Sequence, residues 1–476
     1  MAKSLIFLAL ISISYAAVLD TSCMDGDFLS EQPSEAERLQ VSQGERDFSV
    51  NLIKSLFQDF NASGIHHNIF VSPSSIHATL MLAYFGSEGE TQKELESVMG
   101  TTGLSKQAVQ RSYLFERAFQ AVRERNPDLG YQLTNANKLY FHRALPLNSC
   151  IQLLLQNELG VVDFSQAEKT RNEINQWVKE KTQKKITDFL PAGALSAGTK
   201  MALVNAAYFK GKGYISSEQL KYITQPLFFL GDWASKFKVE ETKRDNFYVR
   251  RDKISMTKFM KQKGKFNYYT SEELRAHVLQ MPYQGEDISM VIILPPFEDD
   301  SLYNTVQRMT PETIQGVMAE VRSGFYEVDD LTVELPKFTI EQSLELPSTL
   351  HKLGLKSMFD EQKSNFTAFL EAGAADQVTF SSALHKSYIE VNEEGSEAAA
   401  ATALFGFRSA RPLFHKNFIA NHPFMFLIYD EKTDMILFFG VYQDPRNWKD
   451  ICNFSVELSI LYWPLFQHTK YRNTLL

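Results

Sequence analysis

Carboxylates are the most plentiful reactive groups in this chain of 476 residues, with 57 Asp and Glu against 49 Lys and Arg. Acid–base or nucleophilic catalysis needs such groups paired with a positioned partner. The local patterns that announce such pairing are missing. There is no Gly-x-Ser-x-Gly turn, no Gly-x-Gly-x-x-Gly after a strand, no phosphate loop and no His-Glu-x-x-His. His66-His67 is an isolated pair without metal-ligand spacing, so no metal and no cofactor are expected. Scattered acids without partners describe a solvated surface, and the chain is not expected to be an enzyme.

The stretch whose composition asks for a mechanism is Glu393-Glu394-Gly395-Ser396-Glu397-Ala398-Ala399-Ala400-Ala401-Thr402-Ala403-Leu404. A β-like run, Ser387 to Val391, precedes it, and "FGFRSARP" follows as a solvent-facing loop. Alanine is the best helix former, so a short helix after Ser396 is one outcome. As a strand, alternation puts Ser396, Ala398, Ala400, Thr402 and Leu404 on one face, all small or apolar. Glu397, Ala399, Ala401 and Ala403 take the other, so the one charge is free to face water. Gly395 supplies a pivot.

The elements around this stretch change character along the chain. Phe48, Leu52, Ile53, Leu56, Phe57 and Phe60 fall at helical spacing. "SPSSIHATLMLAYFG" opens a helix with Pro73 in its first turn and ends it at Gly86. Thr91 to Glu94 ("TQKE") reads as a capping box opening a third helix. Then "KMALVNAAYF", "HVLQMPY", "ISMVIILPP" and "LTVELPKF" read as strands, and "FMFLIYD", "EKTD", "MILFFGVY" as a hairpin. Helices early and strands later, without βαβ alternation, give an α+β class with large mixed or antiparallel sheets.

Lys3, the apolar run from Leu5 to Ile13 and small residues near Ala16 make residues 1–16 a secretory signal peptide, and the chain is expected outside the cell. No later run is apolar enough to span a bilayer. The net charge of −8 argues against nucleic acid as a partner. Three cysteines, Cys23, Cys150 and Cys452, leave one over from any pairing. Asn61, Asn365 and Asn453 head glycosylation sequons.

Seven blocks in register resemble the serpin family: "NIFVSPSSIHATLMLAYFG", "INQWVKEKTQKKI", "MALVNAAYFKG", "MPYQGEDISMVIILP", "VELPKFTIE", "HKSYIEVNEEGSEAAAATA" and "NHPFMFLIYDEKTDMILFFG". They cover residues 45–445. The resemblance implies the serpin fold and a monomeric suicide inhibitor that forms a covalent complex with a serine protease, without membrane or nucleic-acid partners. Its cleaved reactive loop inserts as a new strand into a large sheet. Residues Glu393 to Thr402 correspond to the family's hinge. Ser72, Ser75, Asn205 and His385 correspond to its shutter, and Trp233, Lys337 and Glu393 to its breach. The usual spacing from Glu393 sets the cut at Ser409-Ala410. Chemistry favours Arg408-Ser409, where a cation suits the anionic pocket of trypsin-like proteases. Both bonds remain open, as does a carrier, chaperone or storage role in place of inhibition. Arg111, Arg117, Arg123 and Arg125 share a helical stretch interrupted by acids, which leaves glycosaminoglycan binding open.

Beyond the N-terminal part, two segments depart from the family pattern. Residues 17–44 form an N-terminal segment ahead of the serpin-like part. Residues 212–231 interrupt "YFKG…DWASKF", as a retained intron or as a genuine insertion. Residues 446–476 extend beyond the usual end.

Overall fold

A computed structural model describes residues 32–62, 67–124, 131–211, 233–374, 377–380, 383–393 and 416–446. The signal peptide, the insertion 212–231, the hinge from Glu394 to Thr402, the bonds around Arg408, Ser409 and Ala410, Asn453 and the tail after Arg446 lie outside them.

Burial of one apolar stripe explains the first helix, α1 (Glu35–Ala62), whose Phe48, Leu52, Ile53, Leu56 and Phe57 are all buried. It crosses residue 45, where the serpin-like part was expected to begin. Helix α2 (Pro73–Gly86) has the predicted bounds; the Ser72 hydroxyl accepts from the Ser75 N–H at 3.2 Å and caps it. Nearly every residue of α2 is buried, so it runs through the core.

Helix α3 (Gly89–Val98) corrects the capping-box expectation. It starts at Gly89, and Thr91 and Glu94 turn to another segment. The Thr91 hydroxyl accepts from the Asn365 N–H, and the Glu94 carboxylate accepts from the Lys356 and Ser357 N–H groups. A tertiary partner outcompeted the local one. The remaining helices are α4 (Lys106–Glu124), α5 (Ser149–Leu154), α6 (Ala167–Lys181), α7 (Ser301–Arg308), α8 (Pro311–Arg322) and α9 (Pro347–Leu353).

The strands are β1 (Ile69–Val71), β2 (Tyr131–His142), β3 (Leu159–Val162), β4 (Met201–Gly211), β5 (Lys243–Arg250), β6 (Lys253–Ser271), β7 (Ala276–Pro282), β8 (Ile288–Leu294), β9 (Glu327–Pro336), β10 (Phe338–Glu345), β11 (Ala383–Val391), β12 (Asn417–Ile419), β13 (Phe424–Asp430) and β14 (Met435–Tyr442). Among the described residues they make a nine-stranded sheet, ordered β1-β14-β13-β8-β7-β6-β9-β12 with β5 on β6, and a five-stranded sheet, ordered β10-β11-β4-β2-β3. The predicted strands and the β13–β14 hairpin are all present, which makes the class α+β.

In the five-stranded sheet, β11 and β4 lie side by side and parallel, from Ala383 opposite Leu203 to Glu390 opposite Lys210. Their outer neighbours, β10 and β2, are antiparallel to them. Ile174 and Val178 of helix α6 share one buried apolar cluster with Val204 and Ala206 of β4. The boundary between β4 and β11, the seam, is where the candidate residues gather.

Candidate functional site

Strand register brings one polar row across the seam. Asn137 on β2 stands opposite Asn205 on β4, and Asn205 stands opposite His385 on β11. The first turns of α2 carry Ser72, Ser75 and Thr79 onto this row. The Ser72 N–H donates to His385 Nε2 at 3.2 Å, so Nε2 is the accepting nitrogen and Nδ1 carries the proton. That proton goes to Asn205 Oδ1. Asn205 Nδ2 in turn donates to the Ser75 carbonyl at 2.8 Å and lies within bonding reach of Ser75 Oγ, Thr79 Oγ1 and Asn137 Oδ1.

His385 and Ser75 have no solvent exposure, and Ser72 and Asn205 have almost none. Burial holds the His385 imidazole neutral, with its pKa down to about 3. A second proton would place a donor against the Ser72 N–H. The four residues assigned from sequence are thus one neutral network that bridges the seam and ties it to α2. Asn137 and Thr79 belong to it as well and were missed. No strand was predicted around Asn137, so nothing marked it; for Thr79, its place one helical turn after Ser75 was the available signal.

A different arrangement closes the upper end of the seam. Glu393, two residues beyond β11, is 6% exposed. Its carboxylate accepts from Lys337 Nζ at 2.6 Å and from the Thr242 hydroxyl at 2.8 Å. Burial opposes its ionisation, but the bonds from Lys337, backbone and Thr242 outweigh it and hold the pKa below the usual carboxylate value. Trp233 donates from Nε1 to the Asn392 carbonyl at 3.3 Å and stacks on Tyr283, with centroids 4.6 Å apart. Trp233, Lys337 and Glu393 therefore meet, and Thr242 and Tyr283 join them unpredicted. This latch is ionic and partly open to water, since the Lys337 side chain is 41% exposed.

The polar row and the latch thus gather the residues singled out from sequence along one strand boundary. The profile of the serpin (serine protease inhibitor) family matches residues 43–214 and 212–445. The chain belongs to the serpin family. Serine protease inhibitor 88Ea of Drosophila melanogaster is 34% identical over 460 residues, covering 92% of this chain and 99% of that protein. Leukocyte elastase inhibitor of Homo sapiens is 34% identical over 422 residues, covering 85% of this chain and 100% of that protein. Among solved structures, maspin matches with a TM-score of 0.70 at 24% identity, over 86% of this chain and 100% of its own. Uncleaved ovalbumin matches at 0.68 and 23%, over 85% and 100%. These structures carry the serpin fold. Family and named relatives are those of a serine protease inhibitor, not of an enzyme. The two matched segments meet at residues 212–214, where the segment read as inserted begins.

The other predicted positions are dispersed. Asn61 is exposed at the end of α1. Asn365 is half-buried, and its amide oxygen accepts from the Thr367 hydroxyl at 2.7 Å and N–H at 3.2 Å. On α4 the arginines meet acids: Arg111 with Glu37 at 4.0 Å, Arg117 with Glu158 at 2.6 Å and Arg123 with Asp430 at 2.6 Å. Arg125 lies outside the described residues. These pairings leave no bare basic stripe on the described part of α4. No helix among the described residues is long and apolar enough to cross a membrane, and none of their His, Cys, Asp and Glu groups could hold a metal.

Proposed function

We propose that this serpin is a secreted inhibitor of trypsin-like serine proteases that traps the acyl-enzyme by inserting its cleaved loop between β4 and β11. The parallel seam carries this proposal. The chain leaves β11 at Val391 and enters the hinge through Glu393, so a strand folding back from there runs antiparallel to β11. Because β4 is parallel to β11, the same strand is antiparallel to β4 too. One parallel ladder is replaced by two antiparallel ones, which are slightly more stable per residue. About a dozen added ladder bonds at roughly 0.5–1.5 kcal/mol each supply on the order of 10 kcal/mol. That matches the ~5–15 kcal/mol stability of a protease domain, so insertion is strong enough to distort the enzyme it drags.

The hinge composition fits the same act: the small face of Ser396, Ala398, Ala400 and Thr402 enters the core and Glu397 points outward. Arg408 is the residue offered to the protease, with Ser409 leaving on the far fragment; the Ser409-Ala410 bond is the alternative. The N-terminal leader assigns the protein to the secretory route, with Asn61, Asn365 and Asn453 as glycan acceptors. Incubation with trypsin tests the proposal. An SDS-stable complex and a released fragment beginning at Ser409 are expected. Clean cleavage without a complex would make the protein a substrate or carrier, and a fragment beginning at Ala410 would move the bond by one residue.

A further inference from the structure

The outer face of the β5–β6 ribbon carries a combination of residues that the seam does not use. Alternation places Arg244, Asn246 and Tyr248 of β5 on one face, opposite Lys258, Met256 and Ile254 of β6 in register. Ile254 and Met256 are 56% and 57% exposed. Phe297, itself 39% exposed, lies with its ring 5.9 Å from that of Tyr248 and extends the apolar end. At the other end, Arg244 and Lys258 face each other directly, both exposed, and neither has an acidic partner among the described residues. Like charges opposite each other on a ribbon destabilise it, so nothing in the fold itself favours this pair. Asp245, the neighbouring acid, falls on the opposite face by alternation.

The ribbon is strung between the two roots of the reactive loop. Thr242, whose hydroxyl bonds Glu393, is extended and two residues before Arg244, so it shares the face with Arg244, Asn246 and Tyr248. The Lys258 carbonyl accepts from the N–H of Lys337, the cation of the Glu393 latch. At the far root, the Tyr248 N–H donates to the carbonyl of Asn421, just beyond β12, which receives the chain after the loop. A protein seated on the loop is seated next to this face.

We propose that the β5–β6 face is a second docking surface for the protease held at the loop, recognising an acidic group beside an apolar patch on that protease. The proposal rests on the inhibitor assignment above and names the surface chemistry of the partner. A sulfated polysaccharide would satisfy Arg244 and Lys258 but gain nothing from Ile254, Met256 and Phe297, whereas a protein surface uses both ends. The chain as a whole carries −8 and repels an acidic partner, so attraction to one must come from a local cationic site.

Anionic and cationic trypsins cut after the same residues with opposite net charge, and they separate the two contributions. The full-length secreted protein should trap anionic trypsin at a rate that falls as salt is raised. Arg244→Glu with Lys258→Glu should slow that association at least fivefold and flatten the salt dependence. The number of inhibitor molecules consumed per trapped protease should stay unchanged, because insertion is untouched. Ile254→Ser with Met256→Ser should slow it about threefold at every salt concentration. Complexes forming at unaltered rates in both variants would overturn the docking surface while leaving the inhibitor assignment intact. So would retention on heparin that depends on Arg244 and Lys258 without any change in trapping rate. Failure to form a complex with either trypsin would overturn both proposals.

Discussion

The seam is closed twice, by opposite chemistry. In its middle, the buried Ser72, Ser75, Asn205 and His385, with the half-buried Asn137 at one side, form a neutral network. At its upper end, Glu393 is held by a cation that is two-fifths exposed and by one hydroxyl. A buried neutral network is indifferent to salt and costs the full desolvation of any group it leaves unpaired. An ion pair at a surface is weakened by salt and reopens at small cost. In the proposed insertion the two closures would then take different roles: the upper end would yield first, and the middle would set how far the opening travels.

Breaking the middle should give the largest effect. Asn205→Ala removes the acceptor of the His385 Nδ1 proton and the donor to the Ser75 carbonyl, leaving buried groups unpaired. A loss of about 3 kcal/mol is expected, since each buried orphan costs roughly 1–3 kcal/mol. Thermal unfolding at low and high salt should show the same deficit. A loss that salt relieves would mean that the network is not the neutral one described.

Breaking the upper end should cost less and change with salt. Lys337→Met leaves the Glu393 carboxylate with only the Thr242 hydroxyl and a backbone N–H. About 1–2 kcal/mol is expected, discounted for the exposure of Lys337. The wild type should lose stability between 0.05 and 0.5 M salt, on the order of the range over which surface pairs are screened, and the variant should lose less. Equal salt sensitivity in both proteins would remove the ion pair from the account of the upper closure.

The most gradual effect is the dependence on acid. His385 is neutral in the fold down to about pH 3, whereas in the unfolded chain it protonates near 6.5. Between these values the unfolded chain binds the extra proton, so its contribution to stability is lost as pH falls from 6.5 toward 3. His77, held down to about 4 by burial, acts in the same direction. Glu45 acts oppositely: burial raises it to about 7, so its contribution is lost as pH rises from 4.5 through 7. His385→Gln removes one acid-sensitive group and should flatten the decline between pH 6.5 and 5 by up to about 2 kcal/mol, at 1.36 kcal/mol per proton and pH unit. An unchanged slope would mean that this imidazole titrates normally.

The two closures were not equally legible in the sequence. Periodicity gave α2 and the strands β4, β7, β8, β9 and β11, because their apolar patterns are strong and their ends are marked by proline, glycine or polar residues. Ser72, Ser75, Asn205 and His385, and Trp233, Lys337 and Glu393, were identified through family blocks, and each set does converge. Asn137, Thr79, Thr242 and Tyr283 escaped because nothing local distinguishes them. Their roles arise from β2–β4 register, from α2 crossing the sheet, and from Trp233 bridging to Tyr283. Thr91 and Glu94 show the reverse error: a perfect local capping pattern was overridden by residues 356–365.

A removable lock across the seam tests the central claim most directly. Ala207 on β4 and Ser387 on β11 are buried Cα partners, close enough in register for a disulfide once both are cysteine. Oxidised Ala207→Cys/Ser387→Cys protein should be cut by trypsin without forming an SDS-stable complex, and reduction should restore the complex in the same sample. A complex that forms equally well with the seam locked would contradict insertion between β4 and β11.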